Sequence, residues 1–307
     1  MTDPGRMRAM LAANADPSSL TCERVPVPEP GPGELLVEVR ATAVTADELT
    51  WPEKWPAIPC HDLSGVVAAT APGVTGWQPG DEVYGLVGFD RPGAAAGFVT
   101  APGVDLAPKP AAIDHVAAAA VPLGALTAWQ ALYEHAHLQP GQHVLVHGGA
   151  GGVGAYAVQL AAQHGARVTA TASARNQAFV TGLGAGEVLD YAGRFEDHVH
   201  DVDVIVDPVG GSTTARSWPL LRSGGILVAI ADEPGPAAGR DNVRSVFFVV
   251  EPNGGQLREL AALIDRGQLR PVVSEVFELS ALPEAFQAQR SPRPPGKVVI
   301  TVDHPAG

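Results

Sequence analysis

One segment constrains the fold more than any other: residues 143–161 read HVLVHGGAGGVGAYAVQLA. A short apolar run ends at His147, a cluster of glycines follows, and an amphipathic helical pattern begins at once. Glycines allow a tight turn and let backbone N–H groups approach a pyrophosphate, which the amino terminus of the helix stabilises. A glycine cluster alone is more often a plain loop, but the strand, helix and next strand around this one predict a dinucleotide site. The predicted loop residues are Gly148, Gly151, Gly152, Val153 and Gly154.

The pattern around this loop predicts two domains. From residue 122 to 267, helical stretches alternate with short apolar runs, which is typical of a parallel sheet covered by helices on both faces. The first third of the chain is rich in Gly and Pro and carries short strand-like runs, and the tail returns to the same character. We therefore expect an α/β protein, with a mostly β domain formed by residues 1–121 and 268–307.

The residues after the second strand of the predicted nucleotide domain bear on cofactor choice. This strand ends in TATASARN, so Ser173 and Arg175 stand where an NAD site usually has an acidic residue for the ribose 2′-hydroxyl. A hydroxyl and a guanidinium suit a 2′-phosphate, which favours NADP(H) over NAD. The alternative is that Arg175 is only a solvated residue at a helix start.

Composition excludes several classes of partner. The 307 residues carry a formal net charge of -13 and no basic run, so an electrostatic footprint for nucleic acid or anionic lipid is missing. No stretch reaches the length of a signal peptide or a membrane span, so the sequence predicts a cytoplasmic protein that binds no membrane. Cys22 and Cys60 are the two cysteines, too few for a disulfide framework.

Five motifs together resemble a known family. They are GVTGWQPGDEVYG, LAPKPAAIDHVAAAAVPLGALTAWQAL, HVLVHGGAGGVGAYAVQLA, GAGEVLDY and DPVGG, and they follow in order and spacing the zinc-free quinone oxidoreductase branch of the medium-chain dehydrogenase/reductase superfamily. The resemblance implies a GroES-like β domain built from both chain ends and a Rossmann domain inserted between them, residues 122–267. It also implies an active site in the cleft between the domains and a homodimer.

The stretch PCHDLS raises the question of a metal site at Cys60, His61 and Asp62. Neighbouring side chains in an extended segment point apart and rarely converge on one ion. The resemblance adds that Thr45 stands where the zinc-dependent dehydrogenases have their first Cys ligand. His61 keeps the place of the ligand His, but no thiol lies near the third position, and the four-Cys lobe of those enzymes is absent. We therefore expect no metal, with Cys60 packed as a small apolar side chain.

The chemistry implied by the resemblance is hydride transfer from NADPH to a quinone or to the β-carbon of an enone. The resulting oxyanion needs a hydrogen-bond donor, and Thr45 and His61 are the candidate catalytic donors. A structural histidine bonded to the backbone is an equal alternative for His61.

Further cofactor contacts follow from the resemblance, residue by residue. They are Thr127 near the nicotinamide ribose, Tyr191 near the adenosine phosphate, Ile230, Phe248 and Val249 around the nicotinamide, and Lys297 near the phosphates. The apolar members could equally be core, and Lys297 could be a solvated lysine.

The substrate region departs from the family pattern. The segment AVTADELTWPEKWPAIPCHD lacks the usual Asn and several loop residues, and GAAAGFV replaces a more aromatic and acidic segment. Trp51, Trp55 and Phe248 are the predicted substrate contacts, because an indole can stack on a flat aromatic ring. Both tryptophans could instead pack at the surface. The sequence leaves open a quinone reductase, an enone or enoyl reductase, and an NADPH-binding protein without turnover.

Overall fold

A computed structural model describes residues 5–52, 54–237, 239, 241–289 and 294–303. The chain divides into two compact units: unit 1 consists of Met1–Leu123 and Glu251–Gly307, and unit 2 consists of Gly124–Val250. Within the described part of the chain, no helix is both long and apolar enough to cross a membrane.

The strands are β1 (Arg6–Ala12), β2 (Leu20–Pro26), β3 (Glu34–Val44), β4 (Asp62–Thr70), β5 (Glu82–Leu86), β6 (Phe98–Pro102), β7 (Leu106–Pro108), β8 (His143–Val146), β9 (Arg167–Ala172), β10 (Glu187–Asp190), β11 (Val202–Asp207), β12 (Leu221–Ala229), β13 (Arg244–Phe247), β14 (Val273–Glu278) and β15 (Lys297–Thr301). The α-helices are α1 (His115–Ala119), α2 (Pro122–Trp129), α3 (Gly154–Gln163), α4 (Gln177–Thr181), α5 (Ser212–Ser217), α6 (Gly254–Asp265) and α7 (Leu282–Ala288). Single 3₁₀ turns lie at Pro17–Ser19, Glu48–Thr50, Ala174–Asn176, Phe195–Asp197, Trp218–Leu220 and Leu279–Ala281.

Unit 2 is built on a six-stranded sheet in the order β10-β9-β8-β11-β12-β13. Every neighbouring pair is parallel, as expected for strands joined by helical crossovers. The order reverses between β8 and β11, which is the switch point of a Rossmann sheet, and ligands of such sheets bind beyond the carboxyl ends of the strands. The central strand β8 contains the apolar run Val144–Val146, because both faces of the sheet are buried there.

Unit 1 is built on a mostly antiparallel sheet in the order β14-β15-β3-β4-β5-β7, with β6 also paired to β3. A separate hairpin joins β1 and β2. The strands alternate inward and outward, as in β3, where Leu35, Val37 and Val39 are fully buried. The chain tail supplies β15, which pairs antiparallel with β3. This is the GroES-like β domain and inserted Rossmann domain that the motifs indicated.

The second junction between the units differs from the predicted one. We predicted that residues 251–267 belong to the Rossmann domain, but they cluster with unit 1. Helix α6 is tied there by two backbone contacts: Tyr84 Oη donates to Leu257 O, and Gly254 N donates to Val104 O at 3.1 Å. Amphipathic periodicity predicts a helix but not the sheet on which it packs. The first junction, Leu123/Gly124, lies two residues from the predicted boundary after residue 121.

The helix predicted over LTAWQALYEH changes its geometry halfway. Helix α2 is followed directly by a π-helical segment, Gln130–His135, in which Ala136 N donates to Ala131 O. Such wider turns are frequently found at functional sites. The segment brings the His135 ring to 4.3 Å from the ring of Phe248, centroid to centroid.

Candidate active and cofactor sites

The glycine loop of unit 2 closes on itself between β8 and α3. Gly151 N donates to Gly148 O at 2.8 Å, and Gly148 has a φ of 60°, a conformation that favours glycine. A Cβ on Gly154 would lie 2.2 Å from Gly148 O. A side chain at Gly154 would therefore force the loop open. The geometry explains why the sequence needs glycine at these positions.

A buried histidine beneath the loop fixes its first residue. Ser217 Oγ donates to Thr213 O at 2.6 Å, so it can only accept from His147 Nε2–H, 2.8 Å away. His147 Nδ1 must then accept from the Thr171 hydroxyl at 3.1 Å, and Thr171 Oγ1 accepts in turn from Gly148 N at 3.2 Å. Complete burial lowers the pKa of His147 to about 4. The network is neutral, and each of its polar hydrogens has an acceptor. The sequence did not predict it.

The predicted cofactor residues of unit 2 lie at one edge of its sheet. Each follows the carboxyl end of a strand: Gly148 after β8, Ser173 after β9, Tyr191 after β10, Ile230 after β12, and Phe248 and Val249 after β13. Tyr191 and Val249 are 56% and 61% exposed, which is unusual for side chains of this kind. Thr127 lies within α2 and is buried. The structure thus brings the strand-end residues to the edge where Rossmann sheets bind ligands.

Ser173 and Arg175 occupy the turn after β9. The Ser173 hydroxyl is enclosed yet has no hydrogen-bond partner among the described residues. Arg175 is exposed in the 3₁₀ turn that follows. An enclosed hydroxyl without a partner is costly, so a ligand oxygen at this turn would relieve that cost.

Asp207 holds the next loop, DPVGG, and was missed by sequence reasoning. Its Oδ1 accepts from Val209 N at 2.9 Å and Gly210 N at 3.1 Å, and its Oδ2 accepts from the Thr214 hydroxyl at 2.6 Å. An Asp three positions before a Gly pair is a turn signal that could have identified it.

In unit 1, Glu48 joins the two predicted catalytic residues. Its Oε2 accepts from Thr45 N at 3.1 Å and its Oε1 accepts from His61 N at 3.0 Å. Burial raises the pKa of Glu48 to about 7, although the nearby Lys297 ammonium opposes this rise. Glu48 therefore fixes the ends of two segments, one following β3 and one preceding β4. Its position three residues after Thr45 was the available sequence signal.

Lys297 is buried, which corrects the alternative that it is a solvated lysine; its predicted contact with a cofactor phosphate stays a prediction. It is 4% exposed, its Nζ donates to Thr45 Oγ1 at 2.8 Å, and the same atom lies 2.9 Å from Asp62 Oδ2. Asp62 Oδ2 receives no directed hydrogen bond from a described residue, so this ion pair is coulombic. Asp62 Oδ1 accepts from Leu123 N at 2.7 Å. Periodicity places Lys297 at a strand start but cannot tell that its ammonium turns inward.

His61 is held by its ring as well as its backbone. Its Nδ1 lies 3.1 Å from Val87 O, and a carbonyl can only accept, so Nδ1 carries the proton. In the neutral ring Nε2 is then an acceptor. Burial lowers the pKa of His61, so the doubly protonated form that could donate from Nε2 is disfavoured. This geometry favours Thr45 over His61 as the hydrogen-bond donor.

The two predicted substrate tryptophans have different surroundings. The Trp51 ring lies 5.2 Å from the ring of Phe89, which in turn lies 5.1 Å from the ring of His61. Trp51 Nε1 donates to Asp47 Oδ2 at 3.3 Å. Trp55 instead packs, partly buried, against the hydrophobic core of unit 1. We name Trp51, His61 and Phe89 the aromatic group.

The donors around His61 do not fit a zinc ion. Both carboxylate oxygens of Glu48 already accept N–H groups, and Asp62 faces an ammonium. Cys60 is fully buried in the hydrophobic core, where burial raises the pKa of its thiol. Across the described ranges, no three His, Cys, Asp or Glu residues are grouped to hold a metal ion. A dication beside the Lys297 ammonium would also be repelled.

Comparison with known proteins places these units in a family. Residues 31–111 match the alcohol dehydrogenase GroES-like domain, and residues 183–300 match a model described as zinc-binding dehydrogenase. A probable zinc-binding mitochondrial oxidoreductase of Arthroderma benhamiae is 33% identical over 93% of this chain and 94% of its own length.

Two solved structures are similar over almost the whole chain. The quinone oxidoreductase of Coxiella burnetii superposes with a TM-score of 0.91 at 29% identity, covering 97% of this chain and 100% of its own. The CurK enoyl reductase superposes with a TM-score of 0.88 at 25% identity, covering 97% and 99%. With a GroES-like β unit, a Rossmann unit and relatives that align from end to end, this chain belongs to the medium-chain dehydrogenase/reductase superfamily of oxidoreductases.

Proposed function

We propose that this chain is an NADPH-dependent reductase that transfers hydride to quinones without zinc. The observation that carries the proposal is the aromatic group of unit 1, whose ring centroids lie 5.1 to 6.4 Å apart. Flat aromatic faces suit a flat quinone, and offset or edge-on rings bind one another favourably. The Thr45 hydroxyl is tied to the same group through Glu48, which binds the backbone of both Thr45 and His61.

The roles of the chain's own residues follow from this arrangement. Bound NADPH supplies the hydride chemistry, which is a property of the cofactor. Thr45 donates a hydrogen bond to the acceptor oxygen that gains negative charge. Trp51 and Phe89 orient the acceptor ring, and positioning accounts for much of the rate enhancement in such a reaction.

A panel of acceptors tests the function. Protein stripped of metal with a chelator is mixed with NADPH and benzoquinone, a naphthoquinone or several enones, and NADPH absorbance is followed. We expect rapid oxidation with quinones and no gain on adding zinc. A rate that depends on zinc would contradict the metal-free mechanism, and silence with every acceptor would favour an NADPH-binding role without turnover.

A second candidate is reduction of a conjugated C=C bond, as in an enone or enoyl substrate. It is favoured by the similarity to the CurK enoyl reductase over 97% of this chain. The same donor, Thr45, would then serve the enolate oxygen. Oxidation of NADPH by the enones alone would establish this candidate and exclude the quinone reductase.

The proposed preference for NADPH rests on the turn after β9. The enclosed Ser173 hydroxyl and the exposed Arg175 offer a donor and a positive charge to a 2′-phosphate, and no carboxylate stands between them. Phosphate recognition by a guanidinium contributes strongly when the bonds are bidentate.

Replacement of Arg175 tests this preference. We expect Arg175→Ala to raise the KM for NADPH about 10-fold or more and the KM for NADH by less than about 2-fold, because only NADPH carries the 2′-phosphate. Arg167→Ala is the matched control, since Arg167 is exposed at the opposite end of the same strand. An equal rise for both cofactors would remove Arg175 from the 2′-phosphate site.

A homodimer is part of the same proposal. Among the described strands, β13 ends the sheet of unit 2 and pairs with β12 alone, so its other edge could offer backbone groups to a second copy. Light scattering coupled to gel filtration measures the mass, and a monomer at micromolar concentration would exclude the dimer. The cytoplasmic location stays a prediction, and the relative from Arthroderma benhamiae is described as mitochondrial.

A further inference from the structure

Unit 1 contains a buried ion pair, Lys297 and Asp62, that has no role in the proposed reaction as described above. Lys297 and Asp62 are 4% and 0% exposed, and their charged atoms lie 2.9 Å apart. Desolvation of such a pair offsets most of its attraction, so well-packed apolar residues would stabilise the fold as well or better. A buried ion pair next to a candidate catalytic residue therefore calls for a role other than stability.

The position of the ammonium points to that role. Lys297 Nζ donates to Thr45 Oγ1 at 2.8 Å. An ammonium has no acceptor, so the Thr45 hydroxyl hydrogen cannot point back at it and must point elsewhere. A hydroxyl that accepts from a positive donor also becomes a stronger donor itself, because hydrogen bonds in a chain polarise one another.

Thr45 is the outer end of this chain of groups. It is partly exposed, whereas Lys297, Asp62 and Glu48 are buried behind it. Its backbone N–H donates to Glu48 Oε2, so Thr45 is held by its backbone as well as by its hydroxyl. Among these four described residues, Thr45 is therefore the one through which the buried charge would act on a ligand.

We propose that Lys297, held by Asp62, is a positioning residue that orients and polarises the Thr45 hydroxyl toward the acceptor oxygen that becomes negative on hydride transfer. The inference rests on the proposed reductase function. It assigns to an ammonium and a hydroxyl the electrophilic task that a metal ion performs in zinc-dependent enzymes. Lys297 does not touch the substrate, and no proton leaves it in this scheme.

The test is a set of variants assayed for kcat, KM and melting temperature. Lys297→Met alone leaves Asp62 buried and unpaired, and this can unfold the protein. The double variant Asp62→Asn/Lys297→Met removes both charges and keeps an acceptor for Leu123 N. We expect it to fold, to lose about 10- to 100-fold in kcat, and to keep the KM for NADPH, because an oxyanion donor is weakened rather than cofactor binding.

Coupling with Thr45 separates positioning from a structural role. In a Thr45→Val background the Asp62→Asn/Lys297→Met change should lower kcat by less than about 2-fold, since there is no hydroxyl left to polarise. Lys297→Arg, which keeps a donor, should recover most of the rate. Lys109→Met is the matched control: the Lys109 side chain is 7% exposed in unit 1 and pairs with the exposed Glu82 carboxylate, so it should change the melting temperature without changing kcat.

The outcomes distinguish this inference from the function on which it rests. A wild-type protein that reduces no acceptor overturns both. An active wild type whose Asp62→Asn/Lys297→Met variant keeps kcat within about 2-fold overturns the role of Lys297 alone. An undiminished loss of kcat in the Thr45→Val background also overturns it, because Lys297 would then act independently of Thr45.

Discussion

The two units handle buried titratable groups in opposite ways. In unit 2, His147 is neutral and is satisfied by hydroxyls alone, with Thr171 and Ser217 on its two ring nitrogens. In unit 1, Glu48 lies near a buried ion pair of Asp62 and Lys297, and charge offsets charge. The neutral network of unit 2 and the charged cluster of unit 1 suit the different roles proposed for the two units. A loop that binds a cofactor through its backbone needs rigidity, whereas a donor for a developing oxyanion benefits from a fixed positive charge behind it.

The largest loss of stability should come from removing one partner of the buried ion pair. Lys297→Met leaves Asp62 buried and uncompensated, so we expect the free energy of unfolding of unit 1 to fall by about 3–5 kcal/mol. Hydrogen exchange of peptides from β3 and β15 measures it. Adding Asp62→Asn should restore most of the lost stability. A Lys297→Met variant as stable as the wild type would contradict the inference that Lys297 compensates the buried charge of Asp62.

Acid should weaken unit 2 through His147. Its pKa is about 4 in the folded chain and near 6.5 unfolded, so the unfolded state binds more protons between these values. The contribution is complete above pH 6.5, and about 3 kcal/mol is lost as the pH falls to 4. Hydrogen exchange in β8, corrected for intrinsic rates, should show this loss. It should disappear in His147→Gln and persist in His198→Gln, whose side chain is exposed.

The pH dependence from Glu48 should have the opposite sign. Its pKa is about 7 in the folded chain against 4.5 unfolded, so the folded state holds the extra proton in this range. Its contribution is complete below pH 4.5, and about 3 kcal/mol is lost as the pH rises through 7. Exchange in β4 of unit 1 should follow this trend in the wild type and not in Glu48→Gln. Glu23→Gln is the control, because Glu23 is exposed. If the stability of both units changed with pH in the same direction, the proposed difference between the units would be wrong.

The smallest effect should come from removing a neutral partner. Ser217→Ala leaves His147 Nε2–H without its acceptor, which costs about 1–2 kcal/mol. Hydrogen exchange of β8 peptides from unit 2 at increasing urea concentration measures this change. A loss as large as that of Lys297→Met would mean that neutral and charged networks are equally costly to break.

The sequence predicted the parts of this molecule that depend on local pattern. The glycine loop and helix α3 follow from spacing, and the strand-end positions of Ser173 and Tyr191 follow from the alternation of strand and helix. Contacts between residues far apart in the sequence could not be predicted from it. Helix α6 packs on unit 1, Lys297 turns inward to Thr45 across 252 positions, and the ring of His61 is fixed by Val87. Such contacts depend on which side chains the folded sheet brings together.

The pairing of β15 with β3 has a consequence for how the protein forms during synthesis. Unit 2 uses strands from one continuous stretch, residues 143–247, and can close its sheet once that stretch has emerged from the ribosome. Unit 1 must wait, because β3 at residues 34–44 has its partner at 297–301. Its central strand therefore stays without this neighbour while the whole of unit 2 is translated, and the Lys297–Thr45 contact is among the last to form.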